Sequence, residues 1–166
     1  MDHLAAVQQR IAKDYQQGTC TKRGQRDGVV VTPVEVVDFQ VRAVIDQLAA
    51  QGYTLADPEV RIADPFGGTG IYLARLMQLS GLNSDQLDDL YHHRMLMVEI
   101  APEACAIADK NLRTVYRQET GRTARHSIVH NFDTFTLGDE LWGLTHTGSG
   151  TWHAPPQAPN TGATSP

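Results

Sequence analysis

Three acids in this chain stand where apolar runs give way to loops: Asp64 after VRIA, Glu99 after MLMV and Asp133 after HSIVHNF. The first opens the stretch DPFGGTG, in which Asp64, Pro65, Phe66, Gly67, Gly68 and Gly70 crowd the point where a strand should hand over to a helix. Glycines there let backbone approach a ligand closely, and the N–H groups at the start of the next helix favour an anionic group. The carboxylates argue the other way for the rest of the ligand. A polyphosphate would be repelled in a poorly hydrated pocket lined by three acids. No Lys-Ser or Lys-Thr pair follows Gly70, and the spacing GGTG is not GxGxxG, so neither phosphate-loop signature is met. S-adenosylmethionine suits the set: its ribose diol can donate to one acid, its ammonium to another, and its carboxylate can reach the helix start. A glycine loop after a strand is also an ordinary tight turn, and a lone Asp133 is also an ordinary turn or cap residue.

The elements that would carry these residues follow from periodicity. Leu4, Val7, Ile11 and Tyr15 form one apolar stripe of a helix over 3–17 that Gly18 should stop. Val29, Val30 and Val31 read as a short extended run. Thr32 is then expected to cap a helix with Pro33 in its first turn, in which Val34, Val37, Val41, Val44, Ile45 and Leu48 share one face before Gly52. Strands are expected at 60–65, 95–100 and 126–135, with helices at 71–79 and from Pro102 to the Gly121 stop. Alternation of strand and helix without hairpin signals implies parallel pairing with right-handed crossovers. The expected fold is therefore α/β, a partial doubly wound Rossmann-like sheet. Ligands of such sheets bind beyond the carboxyl ends of the strands, where the three acids fall.

Composition sets the bounds. The 166 residues are 41% hydrophobic and 20% charged, enough for one core. Residues 1–144 are read as the folded part, with Trp142 the last anchor, and 145–166 as a disordered polar tail rich in Thr, Gly, Ser and Pro. The N-terminus lacks the features of a signal peptide and no long apolar run is present, so the expectation is a cytoplasmic chain without membrane contact. Cys20 and Cys105 have no ligand spacing, and the adjacent His92 and His93 are read as surface loop residues, so no metal site is expected. The net charge of −5 argues against bulk attachment to nucleic acid. The local basic clusters (Lys22, Arg23 and Arg26; Arg113, Arg117, Arg122 and Arg125) are read as solvated surface.

Taken together, TPVEVVDFQVRAV, DPFGGTGIYLARLMQ, VEI, IADKNLRTVYRQETG and DTF resemble the N-terminal half of the methylase domain of adenine-specific DNA methyltransferases. The resemblance is nearest to the large single-polypeptide restriction-modification enzymes that join a helicase to a methylase, and it covers about residues 25–135. It implies roles by position. Thr32 and Pro33 would touch the methionine moiety of S-adenosyl-L-methionine, the residues of DPFGGTG would form the cofactor loop, and Glu99 would hold the ribose. Ile100 would lie beside the adenine ring, Asp133 would contact the adenine amine and Phe135 would flank the ring.

Members of that family continue into an Asn-Pro-Pro-Tyr or Asp-Pro-Pro-Tyr motif, which holds the amine of the flipped base and is the catalytic centre. Here the one Pro-Pro pair is flanked by Ala154 and Gln157, which supply neither the acceptor nor the ring. No catalytic residue is identified. The expectation is a truncated or split cofactor-binding portion, inactive alone, that meets DNA only when a second polypeptide supplies the catalytic and target-recognition parts. The alternative is a non-catalytic cofactor-binding module or decayed remnant. A nucleotide-dependent oxidoreductase rests on fold analogy alone. An unpaired first strand near Val60 and Ile62 would leave an open edge prone to self-association.

Overall fold

A computed structural model of the chain describes residues 2–19 and 31–136. The expectations for Cys20, Val29, Val30, the first basic cluster, Trp142 and the polar tail lie outside the described residues. In chain order the elements are α1 (His3–Thr19), α2 (Val34–Ala50), β1 (Ile62–Asp64), α3 (Ile71–Leu79), α4 (Ser84–Asp89), a π turn (Leu90–Arg94), β2 (Met95–Glu99), α5 (Pro102–Thr120), β3 (Val129–Asn131) and a 3-10 turn (Thr134–Thr136). The three strands make one parallel sheet in the order β1-β2-β3. Parallel pairing requires a crossover each time, and α3 with α4 supplies the first, α5 the second. The architecture is α/β.

Register decides what each strand offers the core. Ile62 is paired with Met95 and Asp64 with Met97, while Met97 is paired with Val129. Met95 and Met97 are buried in one core with Val37 of α2, Leu73 and Met77 of α3, and Leu112 and Tyr116 of α5. Leu96 and Val98, on the other face of the sheet, are buried outside that core. Because residues two apart share a face, Asp64 and Glu99 project on the helix-covered side, at the carboxyl ends of adjacent strands.

The helix starts are set by identifiable groups. Pro102 occupies the first turn of α5, and Gly121 ends it in the left-handed conformation at φ 72°. Asn83 and Gln86 form a capping box on α4. The start of α2 corrects the expectation for Thr32. The cap position is Pro33, which has no side-chain acceptor, and the Val34 N–H donates instead to Oε1 of Gln9 on α1 at 2.5 Å.

Helix α1 departs furthest from its sequence pattern. It runs through Gly18 rather than stopping there. Its buried face is Ala5, Gln8, Gln9 and Ala12, whereas Leu4 and Val7 of the expected core stripe are 36% and 39% exposed. The reason is polar pairing. Gln8 and Asn111 of α5 exchange amide hydrogen bonds at 3.0 and 2.8 Å, and Gln9 caps α2, so the glutamines satisfy each other's neighbours and can be buried.

Two buried arginines fix the remaining elements. Arg75 of α3 donates to Asp38 of α2 through Nε at 2.6 Å and through a terminal nitrogen at 2.9 Å, and reaches Asp2 at 3.2 Å. Arg94 donates to the carbonyls of Leu55, Asp57 and Val60, tying the segment before β1 to the start of β2. His92 is also buried, at 3% exposure, in the π turn against Tyr116 and His126. This corrects its reading as a surface loop residue: the connection is helical from Ser84 to Arg94 and packs its ring inward.

Candidate cofactor site at the strand ends

The loop from Asp64 to Gly70 is held by several ties, among them the Glu99 contact described below. Its own turn is closed by the Gly70 N–H donating to the Gly67 carbonyl at 2.8 Å. The Gly67 N–H donates to the Val98 carbonyl of β2 at 3.0 Å. Asn111 donates to the Thr69 carbonyl at 3.1 Å, so the Gln8–Asn111 pair reaches the loop as well. Finally, the Thr134 hydroxyl donates to the Pro65 carbonyl, joining the turn after β3 to the loop.

Three glycines are required by this placement. A Cβ at Gly67 would fall 2.3–2.6 Å from the side-chain atoms of Met97, so the loop lies directly on β2. Gly68 has φ 54° with open space around it, and there the need is conformational rather than steric. Gly70 combines φ 78° with Leu112 side-chain carbons at 3.1–3.3 Å.

Asp64 and Glu99 meet at this loop but are satisfied differently. Glu99 accepts from the Gly68 N–H at 2.9 Å and from the Ala101 N–H at 2.8 Å. A carboxylate has about four lone-pair sites, so acceptor capacity remains for a diol. One Asp64 oxygen accepts from the Phe66 N–H at 3.2 Å, while Oδ2 is buried with no partner among the described residues. Burial, against the opposing pull of the Phe66 amide and with a smaller contribution from the charge of Glu99, pushes the Asp64 carboxyl above its ordinary range. A buried, partnerless carboxylate oxygen is costly and is relieved by a cationic donor.

The rim of the site is apolar. Phe66 and Ile100 are each 63% exposed and Phe135 is 86% exposed, and the Phe66 and Phe135 rings lie 5.5 Å apart. Large exposed apolar groups around a polar floor suit a flat aromatic ligand.

The other expected residues fall less neatly. The Asp133 side chain accepts from the Phe135 N–H at 3.0 Å, and its carbonyl accepts from Thr136, so Asp133 caps the 3-10 turn. Thr32 is half-buried and Pro33 exposed before α2, and no hydrogen bond among the described residues ties either to the loop. Asn131 is an addition: its amide donates to the carbonyls of Glu99 and Ile100, both at 2.9 Å, and so fixes the exit of β2. The sequence signal was its position two residues before Asp133 in HNFDTF, but its target, the backbone after a neighbouring strand, could not be read there. Gln8, Asn111 and Thr134 were likewise missed. Among the described residues no group of three or more His, Cys, Asp or Glu could hold a metal ion, and no helix is long and apolar enough to cross a membrane.

Comparison with known proteins places this geometry. No family model and no curated protein matches the chain. Among solved structures, the cryo-EM structure of the DrdV–DNA complex is similar at a TM-score of 0.66 and 26% identity, over 81% of this chain and 13% of that one. A nuclease-deletion mutant of the Type ISP restriction-modification enzyme LlaGI, in complex with a DNA substrate mimic, is similar at 0.59 and 27%, over 66% of this chain and 10% of that one. The ATP-dependent Type ISP restriction-modification enzyme LlaBIII bound to DNA is similar at 0.60 and 24%, over 77% and 8%, a likeness of fold alone. The chain is thus structurally similar to part of the Type ISP restriction-modification enzyme LlaGI, and it spans about an eighth or less of each of the three polypeptides.

Proposed function

We propose that this chain is the S-adenosyl-L-methionine-binding portion of a DNA adenine methyltransferase of a restriction-modification system, with a Rossmann-like methyltransferase fold. The observation that carries the reading is the meeting of a partnerless buried Asp64 oxygen with a glycine loop anchored on Glu99, in a chain similar to part of the Type ISP enzyme LlaGI. Asp64 would receive the ammonium of the cofactor, the loop amides and the start of α3 its carboxylate, and Glu99 the ribose hydroxyls. Ile100 and Phe135 would border the adenine ring, with Phe66 beside them. When bound, the cofactor supplies an electrophilic methyl group. The chain's own contribution is orientation: the tethers from Asn111, Thr134 and Val98 fix the loop, so that little ordering remains to oppose binding.

Transfer to a base needs preorganised acceptors for the amine of a flipped adenine. Residues 1–166 contain no Asn- or Asp-Pro-Pro-aromatic motif, and we propose that the catalytic site is completed by a further segment, in this or another polypeptide, that carries one and also brings the DNA-recognition surface. The same absence favours a second reading, a cofactor-binding module that transfers no methyl group. A methyl-transfer assay with tritiated cofactor and mixed-sequence DNA, paired with equilibrium dialysis, tests both. We expect the chain to retain cofactor in dialysis and to leave DNA unlabelled. Labelling of adenine by the purified chain, lost in Asp64→Ala, would contradict the need for that further segment. Labelling only after a Pro-Pro-Tyr-bearing partner is added would exclude the non-catalytic reading.

A further inference from the structure

Helix α1 opens the chain, yet each of its polar ties ends on an element that carries the site. Asp2, just before the helix, accepts from Arg75 of α3 at 3.2 Å. Gln9 accepts from the Val34 N–H at the start of α2, one position after Pro33. Gln8 exchanges amide hydrogen bonds with Asn111 of α5, and the Asn111 amide nitrogen also donates to the Thr69 carbonyl of the glycine loop at 3.1 Å. Leu112, the next residue of α5, packs against Gly70, so positions 111 and 112 hold two consecutive loop residues. By contrast, the buried apolar side chains of α1 are two alanines, Ala5 and Ala12. The helix is therefore fastened by paired polar groups more than by an apolar face.

We propose that Gln8 is a positioning residue for the glycine loop, which makes α1 a clasp whose docking sets the affinity of the site. The Asn111 side chain offers two N–H donors and one oxygen. Gln8 takes one of these donors and supplies the oxygen with its own N–H, so the remaining donor is aimed at the Thr69 carbonyl. A turned Asn111 amide would set its oxygen against that carbonyl, and the two bonds to Gln8 oppose the turn. Gln8, Asn111 and Thr69 are 1%, 5% and 6% exposed, so water does not readily replace a lost partner. Release of α1 therefore frees the Thr69 carbonyl, and with it the Thr69–Gly70 peptide, whose N–H closes the loop on Gly67. Coupling of this kind is reciprocal: if docked α1 tightens ligand binding, bound ligand tightens the docking of α1 by the same factor. The inference rests on the cofactor reading for its ligand alone, since the hold of Gln8 on the loop needs no ligand.

The test compares the 166-residue wild type with two variants. Gln8→Leu removes both amide bonds, and Leu87→Ala, a buried truncation in α4, is the control for a general loss of stability. Amide exchange followed by NMR reads the loop without any ligand. The Gly68 and Gly70 amides, measured relative to the Met97 amide of β2, should exchange about tenfold faster in Gln8→Leu than in Leu87→Ala. Equal ratios in the two variants would leave Gln8 a packing residue and overturn the proposal. Calorimetry with S-adenosylhomocysteine then reads the site. Affinity should fall about tenfold in Gln8→Leu, and in wild type the ligand should slow exchange of the α1 amides. Wild-type binding that leaves α1 exchange unchanged, or that Gln8→Leu matches, would also overturn it. No heat from wild type counts against the cofactor reading alone, and the ligand-free exchange ratio still decides the role of Gln8.

Discussion

The Glu99 carboxylate accepts a hydrogen bond from the Gly68 amide at 2.9 Å, across two adjacent strand ends. The acid assigned to the cofactor's ribose is therefore also the anchor of the glycine loop. Glu99→Ala should remove both roles and weaken S-adenosylhomocysteine binding by about 1.5–3 kcal/mol, the range for a hydrogen bond to a charged group. Faster exchange of the Gly68 amide in the variant, measured by NMR, would show the anchor loss separately. Unchanged affinity would remove the ribose assignment.

Gly67 and Gly68 should respond to alanine for different reasons. At Gly67 the new Cβ meets Met97 at 2.3–2.6 Å, so Met97 must shift or the loop must lift off β2, costing about 1–3 kcal/mol. Met97→Ala should relieve that clash in the double variant, although it opens a cavity of its own. At Gly68 space is free and the cost is the left-handed backbone, about 1–2 kcal/mol. Denaturant unfolding of the single and double variants checks both. Additive effects at Gly67 and Met97 would contradict the contact.

Much of this architecture was legible in the sequence because its signals are local. The strand and helix positions, the Gly121 stop and the glycine loop all lie within a few residues of what causes them. Gln8 and Gln9 were not legible, since what makes them core residues is Asn111 and the amide of Val34, both distant in the chain. The apolar residues Leu4 and Val7 then stay outward despite correct helical spacing. His92 failed for a related reason: its burial depends on Tyr116 and His126, which α5 and the segment after it bring to the π turn.

Acid should loosen the protein through His92. Among the described residues neither buried ring nitrogen has a hydrogen-bond partner, and burial, with the nearby charges of Arg125, His126 and His93, pulls its pKa down to about 4 against the weaker opposing pull of Asp88. The unfolded chain takes up a proton near the ordinary value of 6.5, while the folded chain does so only near 4. Its stabilisation is therefore complete above 6.5 and is lost as pH falls from 6.5 to 4. Thermal melts should drop across that window in wild type and stay flatter in His92→Phe. Asp88 acts lower: although burial raises it, the Tyr116 hydroxyl and Arg125 hold its carboxyl below 3.8, so its contribution disappears only in stronger acid. An equal slope in both proteins between 6.5 and 4 would contradict the role of His92.

Arg75 is buried, and Asp38 meets its guanidinium with both oxygens. Asp38→Ala leaves the buried cation, among the described residues, with Asp2 and Gln78 as hydrogen-bond partners, and should destabilise by about 3–5 kcal/mol in urea unfolding. Arg75→Met removes the charge along with its need for partners and should cost less. The reverse order would show that the pair is not what joins α2 to α3.

Calorimetric titration of S-adenosyl-L-methionine into wild type and Asp64→Ala tests the central claim most directly. The partnerless Asp64 oxygen should take the cofactor's ammonium, so wild type should give saturable heat, and affinity should rise with pH as the raised Asp64 carboxyl ionises, as long as the ammonium stays charged. In Asp64→Ala that heat should be lost or weakened by about tenfold or more. No heat from wild type at millimolar cofactor, or equal binding by a folded Asp64→Ala, would contradict the account.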